Sequence, residues 1–153
     1  MATNVTLKER RRTEEMGQIF TSITVTNATD LDNAEAGIIA PTQIRSAAVE
    51  NVLVDTGATH LCLPADIIAR LGLRVARTVR LETANGEVVT RVFRNAQVSL
   101  LGRDIVADCV ELPAGARPLL GAIPMGGMGI EPDLANRTLR LLPDSGPDGY
   151  IRA

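Results

Sequence analysis

Between Val52 and Pro64 the chain reads VLVDTGATHLCLP, an aliphatic run that ends on the carboxylate of Asp55 and continues through Thr56, Gly57, Ala58, Thr59 and His60. A carboxylate at the end of an apolar strand loses hydration and must recover it from hydrogen bonds or from charge. Two readings are open. Asp55-Thr56-Gly57 is either an Asx-type turn that closes a strand, or a positioned group that moves protons. A second triplet of this kind, Asp144-Ser145-Gly146, follows Pro143 instead of an aliphatic strand, with seven residues left after it. It reads as a turn in the tail.

Other chemistries find less support. His60 is the single histidine, and it has no serine or cysteine partner at a recognisable spacing, which argues against a catalytic triad. Cys62 and Cys109 sit among aliphatic residues, where thiols behave as small buried hydrophobes. No Cys-x-x-Cys or His-x-x-x-His spacing occurs, so neither a metal site, a disulfide nor any cofactor is expected. A net charge of −2 offers no footprint for nucleic acid or anionic lipid. The basic run Lys8-Glu9-Arg10-Arg11-Arg12 is followed at once by Glu14-Glu15 and reads as a solvated end. Neither an apolar leader nor a run near the ~18 residues of a membrane span is present, so a soluble cytoplasmic protein is expected.

The elements that must hold Asp55 follow from composition and pattern. At 153 residues the chain suits one domain with one core. Hydrophobic residues make up 45% but aromatics only 2%, so Val, Leu, Ile and Ala must fill the interior, which favours an all-β fold. Residues 1–16 are polar and expected to be flexible, residues 17–143 form the domain, and residues 144–153 form a flexible tail. Strands are expected at 18–25, at 44–54 leading into Asp55, and at 138–142. Asn27–Asn33 reads as turn chemistry, and residues 34–42 have no clear assignment. Ala65–Leu73 suits a short helix, with Pro64 in its first turn, a stripe of Ile67, Ile68 and Leu71, and Gly72 as the stop. Two alternating runs flank Asn85-Gly86, a dipeptide suited to a tight type I′ hairpin. A further hairpin is expected with its turn at Gly102-Arg103. Leu119-Leu120 reads as a short strand, and a helix starting near Pro124 is weakened by Gly126, Gly127 and Gly129.

With these residues in place the chain resembles the retropepsin-like aspartic proteases, and more narrowly their small soluble bacterial members, over roughly residues 17–143. The resemblance rests on Val52-Leu53-Val54-Asp55-Thr56-Gly57-Ala58, the Asn85-Gly86 hairpin, Leu119-Leu120-Gly121 and the closing strand, in that order. It implies a closed β-barrel with one or two short helices. It also implies a homodimeric aspartic endopeptidase acting on peptide or protein substrates, with Asp55 as the catalytic residue of each protomer. Thr56, Gly57, Ala58, Leu119, Leu120 and Gly121 would support the loop, and Thr56 would reach across to its twin. Ala84, Asn85, Gly86 and Glu87 would form a flap over the substrate, while Thr59 and His60 would line a pocket. Ala58 replaces the serine that many acid-acting relatives carry, which implies activity at mildly acidic to near-neutral pH.

Some features depart from the family pattern. Gly121-Ala122-Ile123-Pro124 lacks the polar residue that viral members carry after their glycine, and residues 33–43 lengthen the link between the first strands. A binding or dimerisation module that keeps the fold without cleaving peptides stands as the alternative.

Overall fold

The computed structural model describes residues 17–143. Its elements in chain order are β1 (Ile19–Asn27), α1 (Ala28–Glu35), a 3₁₀ turn (Pro41–Gln43), β2 (Ser46–Val54), β3 (Leu61–Pro64), α2 (Ala65–Leu71) and β4 (Arg74–Thr83). They continue with β5 (Gly86–Leu100), β6 (Arg103–Leu112), β7 (Leu119–Leu120), α3 (Ala122–Met128), β8 (Ile130–Asp133) and β9 (Thr138–Leu141). The expectations for residues 1–16 and for the tail, Asp144-Ser145-Gly146 included, lie outside the described residues.

Seven strands form one sheet in the order β1-β2-β7-β3-β6-β5-β4, and β1 pairs again with β5. That last pairing closes β1, β2, β7, β3, β6 and β5 into a ring, and leaves β4 outside it. The long strand β5 makes both arrangements possible. Its first half pairs with β4 as a projecting hairpin, and Ala96–Ser99 pair with Asn27–Thr24 to shut the barrel. Between the halves the register with β6 slips between Phe93 and Ala96, and Asn95 takes a left-handed φ of 63°. A bulge of this kind bends a strand out of one sheet direction into another. The all-β class expected from composition and the barrel implied by the resemblance are therefore both present, with β8 and β9 as a separate two-stranded ribbon.

The interior is aliphatic, as the scarcity of aromatics requires. Val25, Val52, Leu61, Leu63, Leu71, Val98 and Leu120 are among its most buried side chains, and Phe93 is its one aromatic among the described residues. A smaller cluster of Cys62, Val92 and Val110 forms a second layer, against which Val79, Leu81, Leu112 and Leu119 pack. The first cluster fills the barrel, and the second lies under the β4–β5 hairpin.

Several local expectations change. Residues 27–33, read as a turn, are instead the cap Asn27 and the first six residues of α1, so three short α-helices are present among the described residues. Asn27 caps α1 by accepting from the Asp30 N–H at 3.0 Å, and its own amide donates to Leu71 O at 2.9 Å. Asp30 accepts Arg45 Nε and Nη2 at 2.9 and 3.0 Å, together with the Arg45 backbone N–H. A helix with few apolar residues thus persists through long-range polar contacts. The β4–β5 turn is Ala84-Asn85, and of its neighbours only Gly86 has positive φ, at 110°, so it is not type I′. The next turn is Leu101-Gly102, not Gly102-Arg103, and there φ is 52° and 78°, the type I′ signature. No helix of the described residues is long and apolar enough to cross a membrane.

Candidate active site

Asp55 stands where three strands converge. β2 delivers it, β3 carries the chain away, and β7 lies between them, parallel to β2 (Leu53 beside Leu119, Val54 beside Leu120) and antiparallel to β3. The Asp55 N–H donates to Leu120 O at 3.0 Å, so the aspartate's backbone is tied to the strand behind it. Its side chain closes a local ring in which the Gly57 N–H donates to Oδ1 at 2.9 Å, and the Ala58 N–H donates to Asp55 O at 3.1 Å. The Asx-type turn is thus present, and it fixes the half-buried Asp55 carboxylate in place.

The far side of the loop is fixed by Gly121 and α3. The Gly121 N–H donates to His60 O at 3.1 Å, Ala122 N–H to Ala58 O at 2.9 Å and Ile123 N–H to Thr59 O at 2.9 Å. The first amides of a helix lack partners within the helix, and here the loop supplies them. This explains how α3 forms despite its glycines. Gly127 has a packing reason as well, since a Cβ there would run into the end of the Ile105 side chain. Gly121 has a stricter one: a Cβ would lie 2.6 Å from His60 O and 2.7 Å from Ala58 O and His60 N. Its φ of −89° is open to any residue, so glycine is required by close approach rather than by backbone strain.

Above the loop lies a cleft of about 570 Å³, bounded by Asp55, Gly57, Ala58, Thr59 and His60 on one side and by Leu81, Glu82 and Thr83 of β4 on the other. Cys62, Val110, Leu112 and Leu119 make its apolar wall. The volume falls within the ~300–1,000 Å³ typical of ligand sites. Thr59 Oγ1 lies 2.7 Å from His60 Nδ1, so the lone imidazole is held at the rim by its neighbour. Burial, aided by the negative charge of Asp55, pushes the Cys62 thiol up to about 11, and deeper burial drives Cys109 further in the same direction. Both thiols are neutral near pH 7, which removes them as nucleophiles. Among the described residues no three His, Cys, Asp or Glu side chains are grouped to hold a metal ion.

The structure gathers Asp55, Gly57, Ala58, Thr59, His60 and Leu119 around one cleft, with Leu120 and Gly121 directly behind it. Thr56 is exposed, and its hydroxyl has no hydrogen-bond partner among the described residues. Ala84, Asn85, Gly86 and Glu87 are all exposed at the hairpin tip and do not line the cleft. The stretch that does so, Leu81–Thr83, lies just before them and was not singled out from sequence, nor were Cys62, Val110 and Leu112. Strand alternation carries the signal for most of them, because Val79, Leu81 and Thr83 share one face of β4, and Val110 and Leu112 share one face of β6.

Comparison with known proteins adds one result. The chain matches the model of a family described as Aspartyl protease over residues 40–123, more than half of its 153 residues and a span that includes Asp55, the β4–β5 hairpin and Gly121. No curated protein matches it significantly. By sequence match and by barrel architecture alike, the chain belongs to the aspartyl protease family, of the retropepsin-like type.

Proposed function

We propose that this protein is a homodimeric aspartic endopeptidase whose catalytic pair is Asp55 from each of two protomers. The observation that carries the reading is the Asp55 loop itself, a half-buried carboxylate accepting from Gly57 N–H on a loop tied by Asp55 N–H to Leu120 O and by Gly121 N–H to His60 O, on the floor of a cleft of ligand size. One protomer supplies one such loop. A two-fold axis beside it provides the second carboxylate with the same geometry, and the exposed Thr56 hydroxyl is free to bond across that axis.

Two carboxylates about 3 Å apart cannot both ionise, a general property of aspartic-protease dyads. The ionised member takes a proton from a bound water as the water oxygen attacks the scissile carbonyl, and the protonated member donates to the developing oxyanion. Collapse of the tetrahedral intermediate breaks the C–N bond, with a proton delivered to the leaving amine. The pair titrates as a unit.

Substrate lies in the cleft as an extended strand and exchanges main-chain hydrogen bonds with its walls. Leu81, Val110, Leu112 and Leu119 favour apolar side chains next to the scissile bond. The tip residues Ala84–Glu87 act as a flap that closes over bound peptide and excludes water. With alanine at position 58 in place of serine, the enzyme is active at mildly acidic to near-neutral pH. The chain works as a soluble cytoplasmic enzyme without cofactor, and its partners are a second copy and a peptide or protein.

The test joins two measurements on wild type and Asp55→Asn: cleavage of a peptide library, and solution mass at micromolar concentration by sedimentation equilibrium. Dimeric wild type that cleaves, with a dimeric Asp55→Asn that does not, supports the proposal. Equal cleavage by both proteins, or full activity from a monomer, defeats it.

A further inference from the structure

A second concavity shares no residue with the Asp55 cleft, and its charge is out of balance. Its charged residues are Asp30, Arg45, Arg74 and Arg94. Both oxygens of Asp30 are engaged by Arg45, Oδ1 with Nη2 at 3.0 Å and Oδ2 with Nε at 2.9 Å, so those two charges cancel locally. Arg74 and Arg94 are left. They are direct partners across the antiparallel β4–β5 pair, and both are exposed, with no ion pair or side-chain hydrogen bond among the described residues.

Side chains at directly opposed strand positions leave the same face with Cβ atoms about 5 Å apart, and like charges placed this way repel. Arginine makes the arrangement useful for recognition, because each guanidinium offers a planar fork that fits two oxygens of one anion. Two forks with a combined double positive charge match a dianion better than a monoanion. The space is ion-sized at about 100 Å³, roughly three waters' share of liquid volume and well below the ~300 Å³ where organic-ligand sites begin. The remaining wall is polar. Thr29 Oγ1 accepts from Asn95 Nδ2 at 3.0 Å and keeps its own hydrogen to donate, and the Asn33 side chain completes the rim.

We infer that this concavity binds a free tetrahedral oxyanion of the phosphate class between Arg74 and Arg94. The placement gives the ion a structural consequence. Arg74 opens β4 two residues after the Gly72 cap of α2, and Arg94 lies in the bulge between Phe93 and Ala96 at which β5 leaves the barrel. A bound ion therefore ties the base of the projecting hairpin to α1.

The experiment is a calorimetric titration of the full chain with sodium phosphate at neutral pH, with chloride balancing ionic strength, on wild type, Arg74→Gln and Arg94→Gln. Low millimolar concentrations keep the exclusion effect of phosphate on all proteins out of the signal. Saturable binding is expected in wild type, with each variant weaker by about tenfold or more, as loss of a charged fork implies. Thermal unfolding supplies a sign test. In chloride alone each variant melts at or above wild type, because repulsion is relieved, and in phosphate the order reverses. The inference is overturned if wild type and variants respond alike, if acetate matches phosphate, or if both variants melt below wild type by the same margin in both buffers. Binding of O-phosphoserine more tightly than inorganic phosphate overturns the free-ion assignment.

Discussion

Gly121→Ala adds one methyl group at the point where β7 crosses behind the Asp55 loop. The new carbon would lie 2.6 Å from His60 O and 2.7 Å from both Ala58 O and His60 N, and real Cβ contacts essentially never fall under 3.0 Å. The gap between 2.6 and 3.0 Å means that backbone must recede by at least 0.4 Å. No side-chain rotation can absorb the shift, since all three neighbours are main-chain atoms. Overpacking of this sort costs about 1–3 kcal/mol, and we take about 2 kcal/mol because the bonds from the Gly121 and Ala122 N–H groups to His60 O and Ala58 O stretch with it. At this chain length that corresponds to a melting temperature lower by about 4–8 °C. The receding atoms belong to the loop that begins at Asp55, so geometry suffers as well as stability. A displacement near 1 Å in a catalytic constellation costs about 10²-fold, and a shift of half that size is expected to lower peptide turnover about tenfold. Gly126→Ala is the matched control, because nothing lies within 4 Å of its Cβ and alanine is favoured over glycine in a helix by about 1 kcal/mol. Thermal unfolding and peptide kcat on both variants decide the matter. Wild-type melting and turnover in Gly121→Ala, or equal damage from Gly126→Ala, would refute the close-approach argument.

Other consequences can be checked as directly. Leu101 carries φ 52° at a type I′ turn and is 52% exposed, so Leu101→Asn should stabilise the protein by about 1 kcal/mol, because asparagine tolerates the left-handed region; urea unfolding showing a loss would count against it. Arg45 holds the Asp30 carboxyl below its ordinary range, so the stabilisation is complete above the unfolded pKa of ~3.9 and is lost as pH falls through the lower folded value. Asp30→Asn is accordingly less stable than wild type by about 2 kcal/mol at neutral pH, less than a fully buried pair since Arg45 is half exposed. The two proteins converge in strong acid, and a gap of constant size across the pH range in urea titrations would contradict the assignment. With its thiol raised to about 11, Cys62 holds about 300-fold less thiolate than a free cysteine of pKa ~8.5 at neutral pH. Iodoacetamide labelling followed by mass spectrometry should be slow in the native protein and fast in urea, and rapid native labelling of Cys62 would show the burial to be wrong.

What could be read from the sequence was what depends on neighbours along the chain. The aliphatic run into Asp55, the helix between Pro64 and Gly72, and the alternating runs flanking Asn85-Gly86 each follow from residue type and period, and each is present, the last with its turn one residue earlier. What could not be read depends on distant partners. Nothing in ATDLDNAE marks a helix by apolar period, and α1 is held by Asn27 reaching Leu71 O and by Arg45 closing on Asp30. Turn types failed for a related reason. Asn85-Gly86 is the stronger local signal for positive φ at two residues, yet that geometry falls on Leu101-Gly102, where the Leu100–Arg103 pairing of β5 with β6 dictates it. In the cleft, the residues near the motif were legible and the opposite wall was not, because the bend at Asn95 sets where the β4–β5 hairpin projects.

The bonds that place Asp55 are largely the bonds that build the barrel. β7 is two residues long and carries no stability of its own, but it joins β2 to β3, accepts the Asp55 N–H through Leu120 O and leads into α3, whose first amides hold Ala58 O and Thr59 O. Loosening any one of these contacts moves the carboxylate and opens the ring together. A substitution in β7 or at Gly121 should therefore lower stability and turnover in parallel, whereas Asp55→Asn, which leaves every one of those backbone bonds in place, should remove turnover alone. Coupling of the first kind is what a carboxylate built into a closed sheet requires, and a carboxylate on an independent surface loop would lack it.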